Sequence, residues 1–186
     1  MQQVQKFDPH ASLEELRSPD KERQNGAFQA LMAASQEPVD WAYAVWDDLL
    51  RIVVDGDNRQ RAIAGQVLCS LAASDPKDRM VKDVKVLLVV TKDERFVTAR
   101  HCLQSLWKVG VAGERQREAL MKGLVLRFKE CAVEKNCTLI RYDILASIRR
   151  VYDTVGDEKL RGLAKSLIGL EDDLKYRKKY TALWRS

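Results

Sequence analysis

Proline and glycine are scarce: four and nine of 186 residues, too few for long flexible linkers, so extended disordered segments are not expected. Long apolar runs are missing too. Runs such as Val86 to Val90 fall far short of the roughly 18 residues a membrane-spanning helix needs. The opening stretch MQQVQKFDPHASLEEL has no basic region followed by an apolar one. That pattern predicts no secretory leader and, with no span, a cytoplasmic protein. Histidine is nearly absent, with His10 and His101 alone, so a Ser-His or Cys-His catalytic pair lacks material. No Gly-rich phosphate loop follows a strand, and no G-x-S-x-G turn is present. These absences argue for a non-enzymatic protein without a cofactor.

Cysteine is limited to Cys69, Cys102, Cys131 and Cys137, none in a C-x-x-C pair. A structural zinc site needs close-set ligands, so no metal is expected. Cys69 and Cys102 lie beside apolar stripes and are read as small core residues. Cys131 and Cys137 flank a predicted turn, where a disulfide or a shared metal stays open.

What is present is helical periodicity. From Lys92 to Gly110, Phe96, Ala99, Leu103 and Leu106 recur at spacings of three and four, one stripe of a helix. Asp93 is its expected N-cap and Gly110 its expected end. Ala64, Leu68 and Leu71 form a matching stripe after Asp57, and Ala27, Leu31 and Ala34 another after Asp20. A weaker copy sets Ile144, Leu145 and Ile148 against Cys102, Leu103 and Leu106. The offsets of 37, 35 and 42 residues are the size of a two-helix unit.

Further signals complete the pattern. Ser12-x-x-Glu15 is a capping box for a short first helix near 12–18. Pro38 and Asp75-Pro76 mark two further helix starts. VKVLLVV has the alternation of a strand, but the chain offers it no partner strand, so it is read as helix. Leu120, Leu124, Phe128 and Cys131 stripe a long helix from 114. The partner of that helix starts near Cys137. Gly156-Asp157 turns into a helix with Leu160, Leu163, Ala164 and Leu167, and Asp172 opens the last. The expectation is one all-α domain whose repeats span about 20–35, 38–73, 76–110, 114–154 and 157–185.

An acidic turn residue followed by arginine, alanine and leucine at helical spacing resembles the HEAT-repeat family. The residues are Asp57, Arg61, Ala64 and Leu68, and more loosely Asp93, Ala99, Arg100 and Leu103. The resemblance runs from about residue 20 to the end. Gln24 departs from it where arginine is the pattern, and the 42-residue offset makes one unit longer. It implies a right-handed α-α superhelix, a HEAT-like (armadillo-like) solenoid of about five antiparallel helix pairs, whose second helices line a concave binding face.

On those second helices Arg61, Arg100, His101, Arg141, Tyr142 and Arg149 miss the core stripe, and Trp107 lies seven residues after Arg100 on the same side. These are the candidate partner-binding residues. The competing reading is that the arginines pair with turn aspartates and knit neighbouring repeats, while Trp107 plugs a gap. Residues 1–93 hold 12 Lys+Arg against 15 Asp+Glu, a balance of −3, and residues 94–186 hold 20 against 12, a balance of +8. A basic half can face an acidic partner or nucleic acid. The expected role is a scaffold that recognises a protein partner on its concave face. The alternative is a nucleic-acid binder similar to HEAT-like DNA alkylation-repair glycosylases, with Trp107, Arg141 and Trp184 at loosely comparable positions. That family's catalytic acid has no match here: one turn after Trp107 stands Val111, and Asp143 is the only acidic residue central to a second helix.

Overall fold

The computed structural model describes residues 7–185. Residues 1–6, on which part of the reading of the N-terminus rests, lie outside the described residues. The chain is all-helical, with no β-strand among the described residues. In order the helices are α1 (Pro9–Arg17), α2 (Lys21–Ala34), α3 (Ala42–Asp55), α4 (Asn58–Leu71), α5 (Arg79–Val90) and α6 (Phe96–Ser105). They continue as α7 (Trp107–Ala112), α8 (Glu114–Glu130), α9 (Cys137–Val155), α10 (Glu158–Gly169) and α11 (Leu174–Leu183). Tight 3-10 turns cover Ala72–Ser74 and Cys131–Val133. VKVLLVV lies in α5, because its Val84, Leu87 and Val90 are buried at helical spacing.

Aspartate sets several starts. Asp20, Asp57, Asp157 and Asp173 each accept backbone N–H groups of the following turn, and Asp57 forms a reciprocal box with Gln60. Other starts differ from expectation. α1 begins earlier, at Asp8-Pro9, so the Ser12 hydroxyl donates back to Asp8 O (3.0 Å) and Glu15 pairs with Arg23 instead of capping. Pro38 stays in the loop before α3. Asp75 acts from a distance: its carboxylate accepts from Arg79 N (2.9 Å) and Met80 N (2.7 Å), so α5 starts three residues beyond Pro76.

The predicted single helix to Gly110 is two. A tight turn, Val109 N to Leu106 O at 3.0 Å, separates α6 from α7, and the chain leaves α7 at Gly113. Gly110 sits inside α7 and is buried. A Cβ there would lie 2.6 Å from Val151 Cγ2. Its glycine therefore serves close packing of α7 on α9, whereas Gly156, at φ +68°, supplies the left-handed turn after α9.

Two successions of contacts organise the helices. α1 packs on α3, α3 on α5 and α5 on α8, while α2 packs on α4, α4 on α6, α6 on α9 and α9 on α11. Between them lie the expected stripes: Leu68, Leu103, Leu106, Leu120, Leu124, Phe128, Ile144 and Ile148 are fully buried. Each such side chain contributes on the order of 1.5–3 kcal/mol. The side-chain bonds between elements repeat a similar reach. Tyr43 to Asp75 spans 32 residues, Trp46 Nε1 to Asp83 37, Lys108 to Ser70 38 and Tyr180 to Thr138 O 42.

Candidate partner-binding surface

Helices α4, α6, α7 and α9 carry the sequence-predicted residues, and the four arginines among them, on α4, α6 and α9, are engaged by the protein itself. Arg61 Nε meets Asp93 Oδ2 at 2.7 Å and its Nη1 donates to Gly56 O at 2.8 Å. Burial pushes the Asp93 carboxyl up, but the bonds from Arg61 and from Arg95 N outweigh it and hold the group below the usual carboxylate range. Arg100 grips Asp143 with two bonds, and Gln104 Nε2 adds a third at 3.3 Å. Arg141 joins Glu171 (3.0 Å) and Phe128 O (3.2 Å), its guanidinium 4.7 Å from the Phe128 ring. Arg149 pairs with Asp153 (2.7 Å) and donates to Leu183 O. Asp57 takes no arginine; it caps α4.

The remaining three predicted residues face other surroundings. His101 is exposed. Trp107 is half-buried beneath the Arg150 guanidinium, 4.5 Å from its ring. Tyr142 tilts against Tyr180 and carries Lys179 Nζ at 4.6 Å. The seven predicted residues therefore do not converge on one point.

His101 belongs instead to a groove of about 300 Å³ across α2, α4 and α6. Phe28, Ala62 and Val97 make its apolar lining, and Val97 is 66% exposed. Asn25 and Gln66 bring amides, and Arg59 reaches in from the first turn of α4. The Arg59 Nε is buried and meets no acceptor among the described residues, while its Nη2 lies 3.4 Å from Lys21 O. Sequence reasoning passed over Phe28 and Val97. The available signal was a valine on the outward side of a helix whose stripe was already complete.

The chain matches no protein-family model and no curated protein sequence.

On α7, α9 and α11 respectively, Lys108, Arg150 and Lys179 form no ion pair among the described residues. Lys108 is half-buried, its ammonium bonded to the Ser70 hydroxyl at 2.6 Å. Burial first, and the nearby Arg150 second, hold its pKa below that of an ordinary lysine. A wider cleft of about 490 Å³ lies among the loops near Pro38, Asp75 and Gly113. Two of its carboxylates are occupied, Asp75 by Tyr43 and Asp78 by Arg115 and Gln116. Among the described residues no group of three or more His, Cys, Asp or Glu side chains is placed to hold a metal ion, and no helix is long and apolar enough to cross a membrane.

Proposed function

We propose that the chain is a right-handed HEAT-like solenoid of about five helix pairs and acts in the cytoplasm as a non-enzymatic scaffold. Its second helices hold a protein partner. The two successions of contacts support this architecture, as do side-chain bonds that reach about one repeat length and no further. A solenoid stacks each unit only on its neighbours, and its arginines then serve as ties between units. Arg61, Arg100 and Arg141 each bond a carboxylate 30–43 residues further along the chain.

The observation that carries the partner reading is the groove across α2, α4 and α6. Phe28 and Val97 leave apolar surface in water, while Arg59 and His101 put positive or polar groups at its rim. A peptide segment with an apolar anchor and a neighbouring carboxylate complements that surface. The predicted residues Trp107, Tyr142 and Arg149 extend the contact along α7 and α9.

The test is a displayed peptide library panned on the full chain, with recovered peptides re-measured on Val97→Glu. Micromolar binding that is lost in the variant supports the reading, and peptides indifferent to Val97→Glu overturn it. A second reading, an anionic nucleic-acid strand, is favoured by Lys108, Arg150 and Lys179, which lie beside Trp107 and Tyr142 and have no carboxylate partner among the described residues. Fluorescence anisotropy of labelled single- and double-stranded DNA separates the two. Affinity that falls steeply with salt means several phosphate contacts and selects the second reading. Absence of binding at low salt removes it.

A further inference from the structure

Cys131 caps the end of α8 and opens the 3-10 turn after it, Cys137 begins α9, and their sulfurs face each other at 3.0 Å. Both are free thiols. A disulfide holds its sulfurs about 2.05 Å apart, so about 1 Å of approach separates the pair from bonding. We propose that Cys131 and Cys137 are a redox modification site, a dithiol that closes to a disulfide when a peroxide reaches it and reopens with a small thiol such as glutathione.

The two cysteines take different parts. Cys137, the first residue of α9, is half-exposed and meets the oxidant. Cys131 is fully buried, its Sγ 3.2 Å from Phe128 O, and burial pushes its thiol up to about 12. It does not initiate; it resolves. The Cys137 thiolate attacks one peroxide oxygen, the O–O bond breaks, and the departing hydroxide takes a proton to become water. The Cys131 sulfur then attacks the resulting Cys137 sulfenic acid. The S–S bond forms as the S–O bond breaks, and the Cys131 proton leaves with the hydroxide as a second water. Two thiols and one peroxide give one disulfide and two waters. Two molecules of glutathione reverse the closure by exchange and leave as glutathione disulfide.

The position gives the bond something to act on. Arg127, one turn before Cys131, bonds Glu134 in the intervening turn. Arg141, one turn after Cys137, bonds Glu171, and Thr138 O accepts from Tyr180 of α11 at 2.6 Å. The pair thus stands where the chain between α8 and α9 meets the docking site of the last helix.

The experiment treats the native full chain with a modest excess of hydrogen peroxide, blocks the remaining thiols and maps them by mass spectrometry. The four thiols should fall to two, Cys69 and Cys102, with a Cys131–Cys137 cross-link that reduced glutathione removes. In Cys131→Ser, Cys137 should accumulate as a sulfenic acid trapped by dimedone, a species the wild type does not retain. In Cys137→Ser, no thiol should be lost under the same conditions. Four thiols persisting in the treated wild type would overturn the proposal. So would a cross-link that forms only in denaturant.

Discussion

Arg100 and Asp143 sit 43 residues apart in the chain and meet through two parallel bonds, Nε to Oδ2 at 2.7 Å and Nη2 to Oδ1 at 3.0 Å. The carboxylate side chain is 3% exposed and the guanidinium 36%. Removing the arginine leaves a nearly buried carboxylate with only Gln104 as its side-chain donor. Arg100→Ala is expected to destabilise the protein by about 2–4 kcal/mol, toward the low side of a buried pair because the arginine is partly solvated. Asp143→Asn should cost less, and the double variant less than the sum of the two. Urea unfolding of all four proteins measures the coupling, and strict additivity would mean the pair is not a tie.

Asp93 makes a pH-dependent contribution of defined sign. Its folded pKa lies below the ordinary carboxylate value, so the unfolded chain binds its proton first as pH falls. The stability it provides is complete above the unfolded value of about 3.9 and is lost as pH drops through the folded one. Arg61→Ala removes the arginine bond that lowers the pKa. Between pH 6 and pH 3 its urea midpoint should therefore fall less steeply than that of the wild type. Parallel curves would refute this.

Gly110 and Gly156 separate two reasons for glycine. Gly110→Ala puts a methyl group 2.6 Å from Val151 Cγ2, and overpacking of this kind costs about 1–3 kcal/mol. Val151→Ala should recover part of that loss in the double variant. Gly156→Ala has open space but a backbone at φ +68°, and it should cost about 1 kcal/mol with no rescue from any neighbour. Thermal melts of the two series distinguish steric from conformational loss.

Val97→Glu should leave stability within about 0.5 kcal/mol, because the side chain is largely in water already. Peptide capture in the groove should nevertheless disappear. A variant that melts several degrees lower would instead make Val97 a packing residue.

The helices were legible in the sequence because their apolar spacing is dictated by burial. Leu120, Leu124 and Phe128 stripe α8 as expected, and each is fully buried. Helix starts were less legible. Asp75 accepts from Arg79 and Met80 across an intervening turn, and Leu106 divides one apolar pattern into α6 and α7. Neither event changes the hydrophobic period. Buried polar residues were invisible for a related reason. Arg127 is 2% exposed, held by Thr91 O at 2.9 Å and by Glu134, yet in sequence it reads as one more surface cation. The engaged arginines could be weighed but not resolved, since what matters is whether a carboxylate from the next helix arrives.

The short reach of the contacts has a mechanical side. The longest side-chain bonds described, Gln60 to Leu16 O and Ser147 to Leu103 O, each cover 44 residues, and among the described residues no strongly packed helix pair joins α1 or α2 to α9, α10 or α11. In the solenoid proposed above, tension applied between the two ends meets a row of separate joints. Each joint yields on its own, so the chain should lengthen in a series of steps under load, and should recoil the same way when released.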